Sequence, residues 1–342
     1  MLQFLLRKSL RVAAVLAGVT LIAFLLIHAI PGNPWDNYAG RQRMMSEYSS
    51  DQVLQRTLYQ RFGLDLPLWR QFTRYLIGDS DQQGGIVCGV ICGNLGPSIQ
   101  QRGRSVGNIL FVPPAGGTFL DSRFGYSLRL ILLSALIAVG VGIPLGVLSV
   151  TRPRSWVSRY ISVGLAALVS IPNFVFGLLM IIILASWLKL INVLPDWNQP
   201  ANWIIPAVVV ALMPMASLAR VTHASLMNIL HEDYVRTARA KGLTERRVMR
   251  THVMRNALVP ILTYMGPLLM EIFTALLIVE NLYGFPGIGR EYWAGVLVLD
   301  YPLILGMTLI YAAGLMLLNV LIELLCEFLD PRLRSARLRG AP

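Results

Sequence analysis

The sequence predicts an all-α membrane protein of six transmembrane helices, and three observations carry that prediction. Of the 342 residues, 55% are hydrophobic and only 14% charged, with a mean hydropathy of +0.59. That is too little charge to coat the two soluble domains a chain of this length would otherwise form at roughly 150 residues each. Six apolar runs are long enough to cross a bilayer, which takes about 20 helical residues. Finally, the basic residues, 27 Arg and three Lys, gather between alternate runs. The net charge of +12 is therefore a topological signal rather than a nucleic-acid footprint, and so much apolar surface excludes disorder. Three cysteines are too few for a disulfide scaffold.

The first run covers about 12–30. Arg7, Lys8 and Arg11 precede it as in a secretory signal, but His28-Ala29-Ile30-Pro31 offers no small-x-small cleavage site, so a retained helix is expected. The second and third runs cover about 130–150 and 160–190. The third is too long for a straight crossing, and Pro172-Asn173 near its middle predicts a kink. The remaining runs cover about 203–219, 257–279 and 303–322. Trp156, Trp187 and Trp203 fall near run ends, where interfacial aromatic belts sit. With the N-terminus inside, the inner connections and tails hold 18 Lys and Arg, while the short outer ones hold Arg290 and, at a helix end, Lys189. Both termini are thus expected in the cytoplasm.

The expected organisation is an N-terminal tail and first helix over 1–30, an extracytoplasmic segment over 31–125, a core of five helices over 126–329 and a cytoplasmic tail over 330–342. Within the outer segment, Leu54, Leu58 and Phe62, then Leu68, Phe72, Tyr75 and Leu76, recur at helical spacing and predict two short amphipathic helices broken by Gly63 and Pro67. Beyond Gly78 no regular period is visible. Cys88 and Cys92 frame a Gly-rich stretch there, either as a small disulfide or as two free thiols; Cys326 is expected to pack in the last helix.

Several chemistries are excluded. A phosphate-cradling loop needs Gly immediately before Lys, whereas Lys8, Lys189 and Lys241 follow Arg7, Leu188 and Ala240. No standard ATP site is expected in this chain. His231-Glu232 is not followed by a second His at metal-binding spacing, and no other catalytic constellation is present.

The most informative stretch is the connection 220–255, at Glu232-Asp233-Tyr234-Val235-Arg236-Thr237-Ala238-Arg239-Ala240-Lys241-Gly242-Leu243-Thr244. Acidic residues at its start and Arg239 and Lys241 at its end suit a helix dipole. Gly242 supplies a left-handed stop, and Thr244 can cap a following helix. The predicted helix has two to three turns, too short to stand alone, and the small Ala238 and Ala240 would admit a close partner. The bland reading is a basic loop that only sets topology.

Asp233-Tyr234-Val235-Arg236-Thr237-Ala238-Arg239-Ala240-Lys241-Gly242-Leu243, followed by His252, Arg255-Asn256-Ala257 and Pro260, resembles the coupling loop of ABC importer permeases of the dipeptide/oligopeptide/nickel family. Further matches fall in family order at Pro31-Gly32-Asn33-Pro34, Gly93-Asn94-Leu95-Gly96-Pro97-Ser98, Phe285-Pro286-Gly287-Ile288-Gly289 and Asp330-Pro331-Arg332. The Cys88–Cys92 stretch, the insertion over 113–121 and Glu271 depart from the pattern. The resemblance implies a type I ABC importer permease fold in a bacterial inner membrane, with Tyr234, Arg236, Ala238, Arg239, Lys241, Gly242 and Leu243 coupling to the ATPase. It implies a second homologous permease, two cytoplasmic ATPase subunits that bind ATP and Mg, an extracytoplasmic solute-binding protein and surrounding lipid. Di- and oligopeptides, nickel chelates, glutathione-like compounds and glycosides all fit it as solutes.

Glu271 lies mid-span, where a lipid-facing charge would cost roughly 2.5–3.5 kcal/mol, so it is expected to face the interior or a water-filled path. Phe285, Pro286 and Gly287 are candidates for an outer gate by the resemblance. Glu280 reads as structural, Glu323 and Glu327 as residues near the inner interface, and His28 as no ligand. An ion-coupled secondary transporter is the rival reading, and Glu271 alone favours it.

Overall fold

The computed structural model describes residues 2–30, 62–80, 86–101, 103–151, 155–192 and 195–329. Helix α1 (Leu2–Ala29) stops just ahead of Pro31, since a residue preceding proline is pushed out of the helical region. Helix α2 (Leu68–Leu76) follows Pro67 and contains the predicted Leu68, Phe72, Tyr75 and Leu76. Leu54 and Leu58 of the other predicted amphipathic helix lie outside the described residues, as do Pro31-Gly32-Asn33-Pro34 and the tail from Asp330.

The aperiodic stretch beyond Gly78 is ordered by turns rather than by helical packing. Strands β1 (Gly78–Ser80) and β2 (Ile86–Cys88) pair antiparallel, Gly78 opposite Cys88. A 3₁₀ turn at Val90–Cys92 follows, and a disulfide joins Cys88 to Cys92, their Cα atoms 5.8 Å apart. Helix α3 (Val106–Phe111) starts at Ser105, whose hydroxyl accepts from the Asn108 N–H at 3.1 Å. In the insertion, the Asp121 carboxylate accepts from both the N–H (2.9 Å) and the hydroxyl (2.8 Å) of Thr118.

Helix α4 (Arg123–Thr151) begins seven residues before the predicted apolar run. Helices α5 (Trp156–Ser170) and α6 (Asn173–Ile181), the latter continued by wide π turns to Trp187, make the expected broken third span. The bend is 100°, at Ile171, which Pro172 holds in an extended conformation. After the 3₁₀ turn Pro200–Trp203, helix α7 (Ile204–Leu230) runs 11 residues past the expected end at 219. Helix α8 (Asp233–Ala240) is the short polar helix. π turns at Val248–Val253 lead into α9 (Met254–Thr263) and then α10 (Met265–Leu282).

The fifth span, expected as one helix over 257–279, is therefore broken at Tyr264. Pro267 is the cause: it offers no N–H to the Thr263 carbonyl, and its ring crowds that carbonyl. Helices α11 (Ile288–Val298) and α12 (Tyr301–Leu329) complete the chain. Five of these helices are long and apolar enough to cross a membrane, or six with the bent pair counted as one span. The predicted all-α class and span number hold; the pairing of two three-residue strands is the sheet found among the described residues.

The chain divides into two compact units, Met1–Tyr126 with Pro286–Met316, and Ser127–Phe285 with Leu317–Pro342. In the first, Phe24 and Ile27 of α1 pack with Ile99, Leu299 and Tyr301, Ile304 and Leu305 of α12. His28 is held at this core by the Phe24 carbonyl (2.8 Å) and the Gln71 side chain (3.1 Å). Burial pushes the Tyr75 hydroxyl in α2 above the ordinary phenol range.

In the second unit, Val209, Leu218 and Leu226 of α7 meet Ile261 of α9 and Leu268, Ile272 and Val279 of α10. Gly142 and Gly146 of α4 form a small-xxx-small seam against α7: a Cβ on Gly146 would lie 2.6 Å from the Ala219 carbonyl and 2.6 Å from Thr222 Cβ. Near the end of α4, the Ser149 hydroxyl donates to the Gly146 carbonyl (2.6 Å) and meets His223 Nδ1 of α7 at 2.7 Å.

Candidate coupling surface and solute path

Helix α8 has eight residues, about two turns. Its N-cap is Glu232, whose side chain makes no capping bond; acidic Asp233 opens the first turn and Arg239 lies in the last. Gly242 turns the chain out at φ +79°. Thr244 begins the next turn, Glu245–Arg247, through its carbonyl, which accepts from Arg247 (2.9 Å) and Val248 (3.0 Å), rather than through the expected side-chain cap.

The helix has two faces. Val235 and Ala238 are buried in the second unit's core beside Val248 and Val253, with Leu243 packed against the same cluster. Ala238 thus packs against its own chain, which corrects the expectation that it admits a partner. The outward face carries Tyr234, Arg236, Thr237, Arg239, Ala240 and Lys241, all exposed. Two contacts fasten this face to the following segment. The Asn256 amide donates to the Tyr234 hydroxyl at 2.8 Å, at the start of α9. Arg239 clamps Glu245 with contacts of 2.7 and 3.4 Å. These contacts tie α8 to Glu245 and to the foot of the fifth span.

Glu271 is half-buried on α10. The Tyr264 hydroxyl, at the break ahead of that helix, donates to its Oε1 at 2.7 Å. Its Oε2 is buried and has no hydrogen-bond partner. Glu280, nine residues on, is fully buried and accepts from the Ser127 hydroxyl at 2.5 Å.

The predicted gate residues part ways. Gly284, at φ +62°, ends α10: its N–H bonds the Asn281 carbonyl (3.2 Å) while that of Phe285 bonds the Glu280 carbonyl (2.8 Å). Phe285 is then fully buried, edge-on to Trp197 (4.8 Å) and Trp203 (4.9 Å). It is a core anchor of the second unit, so the expectation that its side chain lines a gate is corrected. Pro286 and Gly287 belong to the first unit, where extended Gly287 caps α11. Ile288 and Gly289 are helical rather than part of a longer loop.

Sequence reading missed two buried carboxylates of the first unit. Asp300, 1% exposed, accepts from the Ser98 hydroxyl (2.5 Å) and from the N–H groups of Ile99 (3.1 Å), Gln100 (3.1 Å) and Leu303 (3.3 Å). Glu291 pairs with Arg123 at 2.8 Å and accepts from Gln101 at 3.2 Å. An available signal for Asp300 was its place two residues before Pro302 at the head of an apolar run, an N-cap pattern. Glu323 and Glu327 lie in α12, with side chains outside the described residues.

Membrane-length helices, one of them sharply broken, with a short polar helix fastened to the foot of another, define a multi-pass membrane protein. The chain belongs to the family of binding-protein-dependent transport system inner membrane components, whose model matches residues 142–335; the model of the family's N-terminal region matches residues 1–112. It is 31% identical over 335 residues to the dipeptide transport system permease protein of Bacillus subtilis (strain 168), covering 98% of each chain. It is 32% identical over 340 residues to the oligopeptide transport system permease protein of Escherichia coli (strain K12), covering 98% of this chain and 100% of that one. Among solved structures, one described as an amino acid ABC transporter with histidines shares the fold, with a TM-score of 0.50 and 19% identity over 61% of this chain and 92% of that one. The chain is an ABC importer permease subunit of the inner membrane.

Proposed function

We propose that this permease carries peptides or similar small solutes and couples their passage to ATP hydrolysis through the outward face of α8. The observation that carries the coupling is that face itself. Arg236, Thr237 and Lys241 are exposed on it, Tyr234 and Arg239 brace it through Asn256 and Glu245, and Val235 and Ala238 anchor it from behind. The peptide class is supported by full-length similarity to dipeptide and oligopeptide permeases.

In this reading a second, homologous permease completes the path. Two cytoplasmic ATPase subunits hold ATP and Mg, and an extracytoplasmic protein delivers the solute. Both termini and residues 220–255 are cytoplasmic. Glu271 faces the path, and Pro286-Gly287 stand near its outer end. ATP drives transport because its binding favours one of two arrangements of the path, and a preference of that kind must enter this chain at a contact with the ATPase.

The test uses the complete transporter. Thr237→Cys should cross-link to an ATPase subunit. Lys241→Glu should lower uptake and solute-stimulated ATP hydrolysis together, leaving solute binding by the delivery protein unchanged. Full uptake by Lys241→Glu, with no cross-link from residue 237, would reduce α8 to a topology signal.

A further inference from the structure

The break between α5 and α6 leaves backbone acceptors free deep in the membrane. Pro172 has no N–H to offer the Leu168 carbonyl, and among the described residues no N–H bonds the carbonyls of Val169 and Ser170. The N–H groups of Val175 and Phe176 turn instead to the Pro172 carbonyl, at 3.0 and 3.3 Å. The side chains at the break add to this unused capacity. The Ser170 hydroxyl donates to the Ala166 carbonyl at 2.9 Å, which keeps its oxygen as an acceptor. The Asn173 carboxamide has no hydrogen-bond partner among the described residues, and although Asn173 is half-buried, its polar atoms stay accessible. Ser170, Pro172 and Phe174 beside it are exposed, so this chain's own packing does not cover them.

Two contacts with α7 fix the depth of the break. Before it, Leu165 packs with Ala216 and Ala219. After it, Gly177 stands so close to Val209 that an added Cβ would lie 3.3 Å from its Cγ1. Residues 170–173 are midway between Leu165 and Gly177, so they lie level with the stretch of α7 between Val209 and Ala216. That stretch is roughly 8–18 Å along the helix from Ile204 at helical rise, well inside a hydrocarbon core of about 30 Å. Hydrocarbon offers free carbonyls and a carboxamide nothing, and irregular backbone at such depth persists only against protein or a water-filled cavity.

We infer that the break at 170–173 lines the solute path near mid-membrane and holds the backbone of a peptide passing through it. The free carbonyls of Leu168, Val169 and Ser170 form the negative end of the α5 dipole and accept from the solute's ammonium or amide N–H. The Asn173 carboxamide donates to a solute carbonyl. Both contacts read groups that every short peptide shares, whatever its side chains. The inference rests on the peptide reading above and adds the segment that holds the solute.

The test uses the complete transporter in proteoliposomes, with dialanine as probe at concentrations that saturate the delivery protein. Asn173→Leu should lower dialanine uptake about five- to tenfold, the effect of losing one hydrogen bond. Asn173→Gln, which keeps a carboxamide, should retain a larger share, and every subunit should still co-purify. In a chain carrying Cys326→Ser, Ser170→Cys should react with a charged, membrane-impermeant methanethiosulfonate, because a thiolate forms in water and not in lipid. Dialanine delivered during ATP turnover should slow that reaction. Wild-type uptake by Asn173→Leu would overturn the inference, as would labelling that dialanine leaves unchanged. A Ser170→Cys chain that stays unmodified both at rest and during turnover would also overturn it, turning the break towards lipid. Loss of the companion permease from the Asn173→Leu complex would do the same, placing the break at a subunit contact. If the wild-type transporter turns over ATP but never carries dialanine, the peptide reading itself falls, while reaction of Ser170→Cys still decides whether the break lines the path.

Discussion

Asp300 shows how one side chain fixes a connection that no local pattern announces. Its carboxylate is shared between the first turn of α12, through Leu303, and the turn at Ser98–Gln100, about 200 residues earlier in the chain. Removing it orphans one hydroxyl and three N–H groups, two of them in fully buried surroundings. Asp300→Ala should therefore cost on the order of 3 kcal/mol, since unpaired buried donors are expensive. Asp300→Asn, which keeps one acceptor oxygen, should cost less. Thermal unfolding of the detergent-solubilised chain measures the order, and an unshifted Asp300→Ala midpoint would show the cluster to be dispensable. The same distance explains why sequence reading singled out Glu271 and passed over Asp300. A charge isolated in an apolar run is visible by itself, whereas satisfaction by Ser98 depends on a partner that only the fold brings near.

At the scale of elements, glycines decide two packing events and give opposite expectations. On α4, a Cβ at Gly146 collides with backbone and Thr222 of α7, whereas a Cβ at Gly140 meets nothing within 4 Å. Gly146→Ala should force α4 and α7 apart at roughly 1–3 kcal/mol. Gly140→Ala should be neutral or slightly stabilising, because alanine favours helix. Equal unfolding midpoints for the two variants would contradict the close crossing. After α8, Gly242 has open space around it but a left-handed backbone. Gly242→Ala should cost about 1 kcal/mol, and Gly242→Val more, because a β-branched residue resists positive φ. Ala238→Asp would put a charge into the Val235–Val248 cluster and destabilise the unit itself, so it is no clean probe of coupling, whereas exposed Lys241 is. The number of spans, the break at Pro172 and the polarity of α8 were legible because each follows from local composition. Three features were not: the inward face of α8, the seating of Phe285 between Trp197 and Trp203, and the break at Tyr264. The first two depend on partners distant in sequence, and the third on Pro267 acting four residues back inside an otherwise continuous apolar run.

For the molecule as a whole, the prediction concerns which side of the membrane each connection faces, and it rests on charge rather than on packing. With the N-terminus inside, 18 basic residues fall in or beside the inner connections and tails, and the short outer ones hold Arg290 and the helix-end Lys189. Arg and Lys near short loops are retained in the cytoplasm during insertion. The long segment 31–125 holds nine Arg against seven Asp and Glu, but loops of that length cross regardless of charge. A disulfide between Cys88 and Cys92 suits an oxidising compartment outside the cytoplasm. It also removes both thiols from reaction with an alkylating probe. In a chain carrying Cys326→Ser, a membrane-impermeant maleimide added to spheroplasts should modify Val112→Cys, whose parent residue is half exposed in the outer segment. It should spare Thr244→Cys, which lies exposed beyond α8, until the membrane is opened. The reverse pattern would invert the topology and remove α8 from any contact with a cytoplasmic ATPase. Modification of both before permeabilisation would place the two connections on one side, which an odd number of crossings between them forbids.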